Sequence, residues 1–344
     1  MDMRGNFLCL REVDLLFRPF VHRKICLPTR ITMAPLARGL ARGGVPGLDM
    51  LRYYQQRAAA DVGLIVTEPV AVNDPSAADD AGMPHFYGGA ALREWKRICR
   101  AVQATGCRMA PQLSHAGMLR QADGCGPSGV DPLTLEKRGE PMSRERMRAV
   151  VLAFAQAAAD ARLLGFDAVE INGARSGLLE QFLRASTNLR YDEYGGDLVR
   201  RTRFVCEVLH AVRKAVGRSF PLMFRFSLSG RGGDESQLVA SPAELETLLQ
   251  PLCEAGVDIF ACTVQDLRRP AFAGSALNLA GWVKMLTRRP VVCEGGVGLP
   301  GAELSRLVQL VQAQQLDLLS VGRALHADAG WAASVRLGRK TRDA

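Results

Sequence analysis

Eight short apolar runs recur along the chain, each too brief for a helix and most of them followed by a stretch with apolar residues at helical spacing. They are ITMAP (31–35), VGLIVTEP (62–69), RMAPQLSH (108–115), FDAVEIN (166–172), PLMFRFS (221–227), VDIFACT (257–263), PVVCEGG (290–296) and DLLSVGR (317–323). Near-continuous apolar strands are buried on both faces, as in a parallel sheet covered by helices. The intervening segments MRAVVLAFAQAAADARLLG and RFVCEVLHAVRKAVG carry the matching helical pattern. Eight strand-helix units in series predict an α/β chain closed as a (β/α)8 TIM barrel. A doubly wound sheet would usually announce itself with GxGxxG after its first strand, and none follows here. Residues 4–28 are then a short N-terminal cap over the barrel floor, and the glycine-rich stretch 121–141 is a long loop after strand three. With no linker and no repeat beyond the barrel period, residues 1–344 read as a single domain.

Composition narrows the class. Hydrophobic residues make up 48% and charged residues 23%, with no long uncharged apolar run, which argues against a membrane span. The start, MDMRGNFLCLREVDLLF, is broken by Arg4, Arg11, Glu12 and Asp14, so it has no signal-peptide core. Nine cysteines form no CxxC pair and no Cys/His metal spacing, which fits buried thiols in a reducing compartment and predicts a cytoplasmic protein. The formal charge of +9 is spread over helical stretches such as RRTRF and MSRERMR, with no basic block interleaved with aromatics. The expectation is no nucleic acid and no membrane, with an anionic cofactor or substrate using part of the charge.

In a barrel the active site is built at the carboxyl ends of the strands. Strand three ends in Gln112 and His115, strand four in Asn172, and strand five contributes Arg225; strand seven runs into Glu294, Gly295 and Gly296, and strand eight into Gly322 and Arg323. Glycines after strands seven and eight let backbone N–H groups approach an anion, a place where barrels frequently bind phosphate, and Arg323 adds a bidentate donor. Glycine after a strand is also an ordinary turn residue, and a strand arginine such as Arg225 is also an ordinary ion-pair member. The strand ends lack a His/Asp/Glu cluster, so no metal is expected.

LPTRITMAPLAR, GLIVTEPVAV, APQLSHAG, QFLRASTNLRYDEYGG, FRFS and VGRALHADAGW occur in order across nearly the whole chain. In these motifs the chain resembles the Old Yellow Enzyme family of flavin oxidoreductases. The resemblance implies FMN at the barrel mouth and electron flow from NADPH or NADH to a small organic acceptor. Position by position, it implies Gln112 at the pyrimidine edge of the flavin and Arg225 near N1 and the O2 carbonyl. There a fixed cation stabilises reduced flavin. It also implies Pro35, Leu36, Ala37 and Pro69 along the ring, and Gly295, Gly296, Gly322 and Arg323 around the phosphate.

The departures carry as much information. Family members usually present two donors, His with His or His with Asn, three residues apart after strand four; here they are Asn172 and Arg175. A permanent guanidinium prefers a carboxylate, phenolate or enolate to a neutral ketone. The family's proton-donating tyrosine, two positions later, is Gly177, leaving water, Tyr87 or His85 as substitutes. Ala37 replaces a Thr or Cys, and Pro69 stands where a residue with a backbone N–H is usual. The reading is an FMN-dependent oxidoreductase acting on an activated alkene, imine or dihydroaromatic compound, with an anionic group favoured by Arg175. The alternative is a flavin-binding isomerase or a degenerate non-redox family member. The partner is a small-molecule substrate, and a homo-oligomer is left open.

Overall fold

The computed structural model describes residues 12–22, 25–230, 237–298 and 304–339. Alternation along each strand explains the architecture. In the segment Leu222–Ser227, Leu222, Phe224 and Phe226 join the outer core against the helices, while Met223 joins a separate inner cluster with Leu64, Val66, Ala110 and Ile259. Successive strand residues point to opposite faces, so both faces bury apolar surface only if the sheet curls around its own inner layer.

The strands β3 (Ile31–Met33), β4 (Leu64–Ala71), β5 (Arg108–Ser114), β6 (Val169–Gly173), β7 (Leu222–Ser227), β8 (Ile259–Thr263), β9 (Val291–Glu294) and β10 (Leu318–Val321) form a closed parallel barrel in sequence order, with β10 pairing β3. This is the predicted (β/α)8 fold. Before it, β1 (Phe20–His22) and β2 (Ile25–Leu27) make an antiparallel hairpin whose Phe20, Ile25 and Leu27 pack into the inner cluster and close the barrel floor. The expected cap therefore exists; its residues 4–11 and 23–24 lie outside the described residues.

The outer ring contains α1 (Leu48–Ala58), α2 (Gly89–Gln103), α3 (Arg144–Leu164), the short α4 (Leu178–Leu183), α5 (Leu198–Val216), α6 (Pro242–Glu254), α7 (Leu279–Thr287) and α8 (Leu304–Gln312), followed by α9 (Arg323–Ala327) and α10 (Trp331–Arg336). Local chemistry sets their ends. In α3, Ser143 Oγ accepts the Arg146 N–H at 3.1 Å, and Gly165, in the left-handed region, terminates the helix. No described helix is long and apolar enough to cross a membrane.

One strand is irregular where the mouth begins. The β4–β5 register shifts between Val66 and Pro69, and the Thr67 hydroxyl accepts the Gln112 N–H at 3.0 Å. Proline has no N–H for the ladder, and a bulge is where a parallel strand tolerates one.

Candidate active site

The inward residues change character along the barrel. Leu64, Ala110, Met223, Ile259, Val292 and Leu318 fill the lower part with apolar atoms. One step toward the carboxyl ends, the same alternation places Gln112, Glu170, Arg225, Thr263, Glu294 and Ser320 inside. Arg225 points inward because Met223, two residues earlier, does.

Arg225 is wholly buried and bidentate on Glu170, with Nε to Oε1 at 2.7 Å and Nη2 to Oε2 at 3.3 Å. Its Nη1 donates to Thr263 Oγ1 at 3.1 Å and lies 3.0 Å from Glu294 Oε2. Burial works against the guanidinium charge, but Glu170 and Glu294 outweigh it and raise its pKa. Glu294 continues outward to Arg175, with Oε1 3.4 Å from Nη2. Alternating charges thus run from the barrel interior to its mouth through Glu170, Arg225, Glu294 and Arg175.

The turn after β6 aims Arg175. Residues 175 and 176 have φ of +58° and +63°, a left-handed pair without glycine. Such residues cost of order 1 kcal/mol each and persist where surrounding contacts hold them. Here Asn172 Oδ1 accepts the Ala174 N–H at 3.2 Å, and Glu180 Oε2 accepts the Ser176 N–H at 2.5 Å. The downstream signature supports the same turn. Arg184 Nε donates to Glu180 Oε1 at 2.7 Å, and Thr187 donates to Gln181 O. Arg190 Nη1 reaches Pro127 O and Met142 O, fastening the long loop after β5. QFLRASTNLRYDEYGG therefore serves chiefly as a scaffold for the turn and the loop after β5.

Arg175 lines three adjoining cavities. The first, about 610 Å³, is bordered by Pro35, Leu36, Ala37, Pro69, Asn172 and Gly177, with Ser114 and His115 from β5 and its loop. The second, about 190 Å³, is lined by Gly295, Gly296, Gly322, Arg323, Ser320 and Glu294. The third, about 490 Å³, opens between Ser227, Thr263, Gln265 and Arg269. Gln112 and Arg225 lie below the mouth and border none of the three. A side chain at Gly295 would bring Cβ to 2.6 Å from Val264 Cγ2, and Gly296 has φ +74°, so glycine is needed at both. The Arg323 side chain makes no ion pair or hydrogen bond with the described residues.

Asn172 is held from both ends, its Nδ2 donating to Ser114 Oγ at 3.2 Å. His85 and Tyr87 stack with ring centroids 4.5 Å apart, and neither is among the residues that border the first cavity. Glu68, whose pKa burial raises, does border it. Sequence reasoning missed Glu68, Ser114, Thr263 and Ser320; inward alternation carried through each strand would have marked Ser114, Thr263 and Ser320, while the bulge obscured Glu68.

A sequence profile of the NADH:flavin oxidoreductase / NADH oxidase family matches residues 15–342. An NADH oxidase of Thermoanaerobacter brockii is 28% identical over 333 residues, 92% of this chain and 50% of that protein, so the chain spans about half the length of this relative. An NADPH dehydrogenase of Clostridium acetobutylicum is 26% identical over 317 residues, covering 90% of this chain and 91% of that one. The solved structure of morphinone reductase matches with a TM-score of 0.81 at 25% identity, over 95% of this chain and 91% of that chain.

Proposed function

Because the chain belongs to the NADH:flavin oxidoreductase / NADH oxidase family, of the Old Yellow Enzyme type, we propose that it is an FMN-dependent enzyme passing hydride from NADPH or NADH to a small organic acceptor bearing an anionic group. Bound FMN supplies the ring that takes up and gives back the hydride. The polar layer supports FMN in the mouth. Gln112 spends Nε2 on Glu170 at 2.8 Å, which leaves its buried Oε1 without a partner; Ser320 Oγ is in the same condition. Buried polar atoms are ordinarily paired, and these two would accept and donate to a polar cofactor. Gly295, Gly296, Gly322 and Arg323 would hold the phosphate, and Pro35, Leu36, Ala37 and Pro69 would line the ring.

The observation that carries the anionic acceptor is the position of Arg175. Its guanidinium is only loosely paired with Glu294, its buried Nε has no partner, and it borders all three cavities. It would bind a carboxylate or enolate oxygen, with Asn172 steering the substrate through an amide already fixed by Ser114. Glu294 limits how strongly Arg175 attracts an anion. Gly177 offers no acid, so the proton that completes reduction of an alkene acceptor would come from water.

Anaerobic titration with NADPH or NADH should bleach the flavin spectrum of the purified protein, and reoxidation by an acceptor should restore it. A flavin that neither nucleotide bleaches would favour the non-redox reading, to which the missing acid at Gly177 also points. Arg175→Ala should weaken an enoate about 10- to 100-fold, matching about 1.5–3 kcal/mol for a hydrogen bond to a charged group, and barely affect the corresponding ester. Equal losses for both ligands would remove the anion-gripping role. Glu294→Gln should strengthen enoate binding by up to about fivefold, since partly exposed pairs are worth about 0.2–1 kcal/mol; unchanged or weaker binding in a titration would show that Glu294 does not compete for Arg175.

A further inference from the structure

Beside the first cavity, the loops after β4 and β5 bring Asp74, Ser76, His115 and Cys125 together against Arg146 of α3. One ligand-type atom each of Asp74, His115 and Cys125 lie within 4.8 Å of one another. Asp74 and His115 are buried, and Cys125 is partly exposed. Positions 74, 115 and 125 have no motif spacing, so only the fold reveals the cluster.

Hydrogen positions decide what it can do. The Gly117 N–H donates to His115 Nδ1 at 3.0 Å, so Nδ1 keeps a lone pair and the proton of the neutral ring sits on Nε2. Nε2 is buried 3.1 Å from Asp74 Oδ1, yet makes no well-aligned hydrogen bond. A metal ion would need the Nε2 lone pair, which this tautomer does not offer. It would also meet the Arg146 guanidinium, whose Nη2 is 2.5 Å from Asp74 Oδ1. An anion on the neighbouring sulfur, by contrast, would give this N–H a further acceptor beside Asp74.

Ser76 provides the second donor. Its Oγ lies 3.2 Å from Cys125 Sγ and 2.9 Å from Asp74 Oδ1, and it accepts from Arg146 Nη2 at 3.0 Å. Burial works to raise the Asp74 pKa, but His115 and Ser76 bring it down to about 2, so the carboxylate is ionised. Asp74 also accepts the Ser76 N–H at 2.9 Å, so the Ser76 hydroxyl can turn to the sulfur without stranding the carboxylate. Burial likewise pushes the Cys125 thiol up, and the nearby His115 ring and Ser76 hydroxyl outweigh it, bringing the thiol below its ordinary value.

We propose that Cys125, with Ser76 and His115 beside it and Arg146 holding Ser76 and Asp74 in place, is a thiolate site that reacts with hydrogen peroxide. The sulfur lone pair attacks one peroxide oxygen; the S–O bond forms as the O–O bond breaks. The departing hydroxide takes a proton from solvent and leaves as water. Sulfur is oxidised by two electrons to the sulfenic acid, and the peroxide is reduced by the same two. Because His115 also borders the first cavity, the oxidised sulfur is one side chain from the substrate.

The test uses the FMN-loaded protein treated with less than one equivalent of hydrogen peroxide, a sulfenic-acid trap such as dimedone, and peptide mapping. At least tenfold more adduct is expected on Cys125 than on the exposed Cys26. Iodoacetamide alkylation of Cys125 should level off at lower pH than that of Cys26, and Ser76→Ala should move the Cys125 profile back toward it. The proposal is overturned if Cys125 takes no trap or if the two alkylation profiles coincide in the parent protein. Stoichiometric zinc that blocks Cys125 until a chelator removes it would also overturn it, making the cluster a metal site.

Discussion

Arg225→Ala is expected to lower the free energy of unfolding by about 3–5 kcal/mol, the loss seen when one partner of a buried ion pair is removed and the other stays. Glu170 is fully buried and its Oε1 accepts from both Arg225 and Gln112, so the truncation strands a carboxylate inside the barrel. Glu294 loses its inner partner at the same time. A stranded carboxyl has its pKa raised by burial. The penalty therefore grows as pH rises from the unfolded-state pKa toward the raised folded value, and the variant should recover part of its stability in mild acid. Urea unfolding at neutral and mildly acidic pH measures both effects. Arg225→Met combined with Glu170→Gln should cost less than Arg225→Ala, because no uncompensated charge remains at Glu170. A loss below about 1 kcal/mol for Arg225→Ala would mean that water reaches this layer and that the pair is not structurally buried.

Arg175→His combined with Gly177→Tyr is expected to raise reduction of a neutral enone such as cyclohexenone by about 10²- to 10⁴-fold in kcat/KM, the usual contribution of a positioned general acid. The backbone accepts both changes. Residue 177 has φ −67° and ψ 172°, an extended conformation open to tyrosine, and its Cβ would meet His115 O at 3.1 Å, which a shift of a few tenths of an ångström relieves. Residue 175 has φ +58°, in the left-handed region where histidine is enriched among non-glycine residues. Position 177 borders the first cavity, so the new hydroxyl enters the space proposed for the substrate. A flavin spectrum unchanged from the parent establishes that the variant is loaded. No gain in kcat/KM with that spectrum intact would show that the shape of the pocket, and not these two groups, limits enone reduction.

These two experiments probe layers that were unequally legible in the sequence. The eight apolar runs mark the barrel strands to within three residues, because burial on both faces leaves no alternation to confuse the pattern. Asn172, Arg175 and Gly177 are readable as departures because they sit in one short stretch whose signature is local. Glycines 295, 296 and 322 are readable for the same reason, since a close backbone approach is a property of single residues.

The partners of those residues were decided by closure of the barrel. Arg225 was, from sequence, either a flavin contact or an ion-pair member; the structure seats it between Glu170 and Glu294, which come from the neighbouring β6 and from β9 two strands away. Glu294 reads as the last residue before a glycine turn, yet it joins Arg225 to Arg175. His85 and Tyr87, two positions apart in one loop, spend their rings on each other. Asp74, His115 and Cys125 meet because successive loops leave the same rim. Local periodicity determines which face a side chain takes; which faces then meet depends on strand order, register and the bulge at Thr67 and Glu68. The sequence by itself therefore determined the barrel and the departures at 172, 175 and 177, while the tertiary structure decided the charge chain beneath them and the thiol cluster beside them.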